Sequence, residues 1–212
     1  MCAESGEVEW EHVTDASKFG AALLDSNTDP AAKNLAPPIL SDSDTGLTLS
    51  QAAACHQYLG NKLGFNKGIK HPEVAIQYMN DLADLHSDMA EAAIKGKAAN
   101  DVKALKEYLT GERYKRHLGA IDRCIVGPYY FGNEPTYVDF AVCSYLDMCE
   151  GKWLAPVEGK SGDTIARYAP KLRAIAQKIR ALPSASDPRI ANTNLVPPPF
   201  VIPPERVKTW DD

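Results

Sequence analysis

The chain has 212 residues, and its 23 Lys and Arg against 28 Asp and Glu leave a formal net charge of −5. This mildly acidic balance, with no basic run, excludes the electrostatic footprint of a nucleic-acid or anionic-membrane binder. No apolar stretch is long enough to span a bilayer, and the opening MCAESGEVEW has neither the basic nor the apolar region of a signal peptide, so a cytoplasmic location is expected.

Taken in chain order, the first 63 residues are short segments of strand type. EVEWEHV alternates Val8, Trp10 and His12 with acidic residues, and the brief apolar runs PPIL and LTLS flank SDSDTG, which has hairpin-turn chemistry. Ser50-Gln51 opens a helix that should run to Leu63, with Ser50 able to serve as its N-cap. From residue 64 the period turns helical. HPEVAIQYMNDLADLHSDMAEAAI places Val74, Tyr78, Leu82 and Leu85 on one stripe with Met89 further along, and Pro72 sits where a first helical turn tolerates it.

KALKEYLTGERYKRHLGAIDRCI, PTYVDFAVCSYLDMCE and APKLRAIAQKIRAL continue the helical period to about residue 182. Thr136 and Asp139 form an S/T-x-x-D pair ahead of an apolar run, a capping box that starts a core helix and has a structural role. The last segment, 191–212, carries five prolines and should lie extended, either as a tail packed on its own domain or as a polyproline ligand offered to an SH3-type partner.

Cys2, Cys55, Cys124, Cys143 and Cys149 show no CxxC spacing and read as free thiols. The five histidines are dispersed, without the paired spacing of a metal site, so no metal is expected.

The order of strand, Pro-strand, turn, strand and helix with "SQ" at its start, followed by an all-helical half, resembles the glutathione S-transferase family (sigma, pi and alpha-like members). Pro38-Ile39-Leu40 and Gly46 through Leu59 match the segment that closes its thioredoxin-like domain. YYFGNEPTYVDF and YAPKLRAIAQKIRALPS match two elements of its helical domain. The resemblance implies an α+β two-domain fold: a truncated thioredoxin-like α/β domain over 1–63, an all-α bundle over 64–190, and the Pro-rich tail 191–212.

It also implies glutathione as co-substrate, a small hydrophobic electrophile as second substrate, a homodimer, and neither nucleic acid nor membrane as partner. Site residues follow by resemblance. Pro38 should follow a cis bond that turns residue 37 toward the cysteinyl part of glutathione, although Pro37 has no N–H to give; a Pro37-Pro38 pair that only stiffens a loop accounts for the same residues. Gln51 and Ser50 should sit at a helix start that receives the γ-glutamyl carboxylate, where Ala52 replaces the family's serine. Of Asp81, Asp84 and Asp88, on one face of the first long helix, Asp88 should reach the ammonium of a neighbouring subunit's glutathione. A solvated acidic face accounts for the same spacing.

Tyr78, Tyr108, Tyr114, Tyr129 and Tyr145 could line the electrophile pocket or serve as core aromatics. The family's first strand and helix, with its catalytic Tyr, Ser or Cys, have no counterpart ahead of AESG. Cys2 is the one candidate replacement, and EVEWEHV should lack its strand neighbour. Two readings follow: a transferase with impaired conjugation, or a non-catalytic scaffold on the same fold.

Overall fold

The computed structural model describes residues 1–6, 8–13, 15, 38–157, 159–187, 204–207 and 210–211. One helical turn, α1 (Cys2–Ser5), ends at Gly6, whose φ of 64° is the left-handed conformation glycine adopts without strain. The strands β1 (Ile39–Asp42) and β2 (Leu47–Ser50) pair antiparallel, Ile39 opposite Ser50 and Asp42 opposite Leu47. Their turn closes as its chemistry requires: Gly46 takes φ 70° and donates its N–H to the Asp42 carbonyl at 2.8 Å, while the Asp44 N–H reaches Asp42 Oδ1 at 3.0 Å.

Residues 8–13 form no strand, against the alternation of EVEWEHV. Among the described residues the sheet consists of β1 and β2 alone.

Helix α2 (Ala52–Lys62) leads through Leu63 into the helical bundle. Its longest member is α3 (Pro72–Ala99), 28 residues or about 42 Å, with Pro72 in the first turn. The buried stripe of α3 is Ala75, Met79, Leu82, Leu85 and Met89; the expected Val74 and Tyr78 are only half-buried. The helix is rotated so that small residues face inward: a Cβ on Gly96 would lie 2.8 Å from the Asp101 carbonyl oxygen.

The run KALKEYLTGERYKRHLGAIDRCI breaks into α4 (Lys103–Thr110) and α5 (Glu112–Arg123). Gly111 between them has extended backbone, and its position leaves 2.9 Å from a built Cβ to the Glu107 carbonyl, too close for a side chain.

Helix α6 (Tyr137–Met148) is the axis of the core, buried without interruption from Tyr137 to Cys143. Asp139, itself fully buried, explains its start. One carboxylate oxygen accepts from the Thr136 N–H (2.7 Å) and hydroxyl (2.8 Å), the other from the Tyr130 N–H (2.8 Å). The capping box therefore also holds the preceding loop. Burial nevertheless raises the Asp139 pKa against those hydrogen bonds.

Beyond α6 the chain continues as a π-helical turn, Cys149–Leu154, and a 3₁₀ turn, Ala155–Val157, before α7 (Thr164–Tyr168) and α8 (Pro170–Arg180). An ion network fastens these pieces: Arg173 bonds Glu150 and Asp163, and Arg180 bonds Asp147 and Glu150. The π turn also carries Trp153, whose Nε1–H donates to His86 Nε2 of α3 at 3.0 Å, so it grips the long helix.

A 3₁₀ turn (Pro183–Ser186) receives α1, and α9 (Pro204–Val207) is one helical turn. The Pro-rich stretch up to residue 203 lies outside the described residues. Beyond it, Trp210 packs on the core and Asp211 pairs with Lys160 at 2.6 Å, which favours a tail packed on its own domain. Among the described residues no helix is long and apolar enough to cross a membrane.

Asp139→Ala leaves two buried N–H groups and a hydroxyl without their acceptor, and should cost roughly 2–5 kcal/mol of unfolding free energy by urea titration. A loss below about 1 kcal/mol, the worth of an ordinary cap, would show that the loop contact contributes nothing.

Burial first, and the Lys152 ammonium second, lower the His86 pKa from its ordinary 6.5. Neutral His86 thus contributes stability in full above pH 6.5, and this is lost as pH falls through the lowered folded value. Urea midpoints should drop between pH 7 and pH 5, and His86→Gln, which still accepts from Trp153 but does not titrate, should flatten that slope. His56, likewise lowered by burial, accounts for the remainder.

Candidate functional site

The β1–β2 hairpin is bound to α2 by a polar cluster at its turn. Tyr58 donates to Asp42 Oδ2 at 2.6 Å, and Lys62 reaches Asp42 at 2.5 Å and Asp44 at 2.9 Å. The Lys62 ammonium and then the Tyr58 hydroxyl hold the Asp42 carboxyl at about 2, so this anchor is intact above pH 3.8 and weakens only as pH falls toward 2.

With the turn pinned, the opposite, open end of the hairpin has a defined geometry. Ile39 faces Ser50, so exposed Pro38 and exposed Gln51 sit side by side there, beside the first turn of α2. The structure thus brings together Pro38, Ser50 and Gln51. Pro37, and with it the expected cis bond, lies outside the described residues.

Gln51 is the residue that sequence reasoning undervalued. It is the N-cap of α2, with φ 73° and ψ 122° and no side-chain capping bond. Ser50, expected as an alternative cap, is the last residue of β2 and does not fill that role. A glutamine gains nothing intrinsic from positive φ, a conformation that costs of order 1–3 kcal/mol outside glycine and clusters at ligand sites. Its effect is to turn the chain sharply from strand to helix, leaving the first amides of α2 at the hairpin's open end. No signal in the sequence marks that conformation.

Asp88 lies on α3, half-buried, and both its oxygens are engaged within the chain: Arg113 of α5 grips them through Nε (2.7 Å) and a terminal nitrogen (3.1 Å). His117 Nδ1 stands 4.0 Å from the same carboxylate, while its Nε2 meets the Asp81 carbonyl at 3.1 Å. Burial raises the Asp81 carboxyl pKa, and Asp84 is exposed.

The tyrosines divide. Tyr114 is core, its hydroxyl sharing a hydrogen bond with Thr164 at 2.9 Å and its ring 5.1 Å from that of Tyr108. Tyr145 faces His86, and Tyr78 and Tyr129 are half-buried near Phe131 and Lys178 respectively. Cys2 sits in α1 against the Pro183–Ser186 turn. Among the described residues no three His, Cys, Asp or Glu side chains are grouped to hold a metal.

A cavity of about 630 Å³ opens elsewhere, at the far end of α6, between the π turn, α7 and α8, lined among others by Glu150, Leu154, Asp163 and Arg173. It contains none of the expected site residues.

Residues 83–186 match the model of the glutathione S-transferase family described as "Glutathione S-transferase, C-terminal domain". No curated protein matches the chain.

Gln51→Gly relieves the positive-φ cost at the hairpin–helix junction and should raise unfolding free energy by about 1 kcal/mol in urea titration. A loss of stability of the same size would mean that the glutamine side chain, not ligand binding, is why that backbone is kept.

Proposed function

We propose that this chain, whose helical half belongs to the glutathione S-transferase C-terminal domain family, uses the open end of its hairpin as a weakened glutathione site. The observation that carries this reading is the backbone of Gln51. A non-glycine residue held at φ 73° between β2 and α2, without a capping bond, is strain retained where an anionic ligand would meet helix amides.

In this reading the γ-glutamyl carboxylate lies against the first amides of α2 beside Ser50 and Gln51. The cysteinyl backbone runs along the edge near Pro37 and Pro38, as an added strand would. The lineage reaction is attack of the glutathione thiolate on a small hydrophobic electrophile, with the displaced group leaving as an anion, a detoxification chemistry of the cytoplasm. Two contacts are impaired by residue type alone. Pro37 has no N–H to donate and Ala52 no hydroxyl, and each lost bond to a polar or charged ligand group is worth roughly 0.5–3 kcal/mol.

Asp88 would take the glutathione ammonium of a second subunit only by sharing its carboxylate with Arg113. That in-chain fork favours the second reading, a non-catalytic scaffold on the same fold. A homodimer is proposed under either reading, and light scattering at micromolar concentration should give twice the chain mass.

Titration calorimetry with glutathione should yield a dissociation constant in the millimolar range, and no conjugation of chlorodinitrobenzene should be measurable. A constant below about 50 μM, near −6 kcal/mol, would overturn the weakened-site reading in favour of an intact one. No heat at any concentration would leave the scaffold.

A further inference from the structure

The cavity of about 630 Å³ at the far end of α6 has no part in the glutathione reading, and one of its walls is an uncommon piece of backbone. The π-helical turn Cys149–Leu154 contributes Glu150 and Leu154, the loop before α7 contributes Ser161 and Asp163, and α8 contributes Arg173. π-helical turns hold less than about 1% of residues in globular proteins and occur mostly at functional sites. This one divides its side chains between two tasks. Cys149 and Trp153 go into the core, Trp153 onto His86 of α3, while Glu150 and Leu154 line the cavity.

The charges of this network do not balance. Asp147, Glu150 and Asp163 share two guanidiniums, those of Arg173 and Arg180, which leaves one negative charge in excess. Arg173 and Arg180 take the two oxygens of Glu150, one each. Asp163 meets Arg173 (2.7 Å) and the Ala166 N–H (2.8 Å) through Oδ1, and it is the more open of the two carboxylates on the wall, its side chain 47% exposed against 28% for Glu150. Lys160 and Arg167 border the cavity without lining it: Lys160 pairs with Asp211 at 2.6 Å, and Arg167 lies over the Tyr168 ring, 5.9 Å from its centroid. Leu154, Ala155 and Ile165 add apolar surface, and the volume lies within the range of small-molecule sites, roughly 300–1,000 Å³.

We infer that this cavity binds a small organic cation, a primary ammonium on a short apolar body, with the ammonium on Asp163 and the apolar part against Leu154, Ala155 and Ile165. A carboxylate that already has an arginine partner can accept more, because its two oxygens offer about four acceptor positions. An ammonium supplies three donors and the missing positive charge. An anionic ligand meets the excess charge as repulsion, and a neutral one gains no charge-assisted hydrogen bond. The Arg173 and Arg180 bridges hold the wall in place before a ligand arrives, so little ordering remains to be done on binding. The cavity is separate from the open end of the hairpin, and the inference does not depend on the glutathione reading.

The probe is phenethylamine, titrated into the full chain by calorimetry at neutral pH beside phenethyl alcohol, a neutral analogue of the same shape. The amine should bind with a dissociation constant at or below about 1 mM, and the alcohol about tenfold more weakly, the worth of one charge-assisted hydrogen bond. Asp163→Asn retains a cap for α7, since asparagine caps as well as aspartate, and should weaken the amine about tenfold while leaving the alcohol unchanged. Ala155→Phe fills the apolar side and should weaken both probes, which gives a second reading that does not depend on the charge. Glutathione at about 10 mM should leave the amine's constant unchanged. An amine that binds no tighter than the alcohol, an amine affinity that neither substitution lowers, or competition by glutathione, which would place the amine at the hairpin instead, would overturn the proposal.

Discussion

The buried carboxylate of Asp139 is the contact on which the rest of the structure rests. It fixes where α6 begins, by taking the Thr136 N–H and hydroxyl, and it fixes the loop before it, by taking the Tyr130 N–H. Everything at that end of the bundle is then placed against α6. The Tyr137 N–H donates to the Phe65 carbonyl at 2.8 Å, Phe140 meets Phe65 edge-on at 5.0 Å, and the Tyr137 ring lies so close to α2 that a Cβ on Gly60 would sit 2.4 Å from it. A glycine is required there because the two helices approach nearer than any side chain allows. The cost of keeping a carboxylate dry, visible as its raised pKa, is thus offset by the ordering of both parts of the molecule.

The candidate glutathione site inherits its position through that chain of contacts. Helix α2 is set by Gly60 and Tyr137, the hairpin is tied to α2 by Asp42, Tyr58 and Lys62, and the open end of the hairpin is left beside the first amides of α2. Strain at Gln51 is tolerated because both its neighbours are held, Ser50 by the ladder and Ala52 by the helix. At the other end of α6 the same logic applies with charges. Arg173 and Arg180 bridge Glu150, Asp147 and Asp163, binding the π turn to α7 and α8, while Trp153 carries that turn onto α3 through His86.

Local features were legible in advance. The Thr136–Asp139 box, Pro72 in the first turn of α3 and the SDSDTG turn all depend on bonds within a few residues, and all take the form their sequence implies. Features that need a distant partner were not. Residues 8–13 alternate like a strand yet form none, and Val74 and Tyr78 are only half-buried on α3, whose inner face is taken by Ala75 and Met79. The engagement of Asp88 by Arg113 spans 25 residues of sequence and two helices, so helical spacing alone showed an acidic face without its cation.

The sequence by itself determined the order of a strand pair, a helix and an all-helical half, together with the turns and caps that divide them, because hydrophobic period and capping chemistry act over one or two helical turns. Only the tertiary structure decided which face of each helix points inward, that Gly111 breaks a helical run, and that Gln51 holds a left-handed backbone. It alone brings the rings of Tyr78 and Tyr130 together. Those outcomes depend on how closely separate segments approach, and that distance is set by the packing of all of them at once.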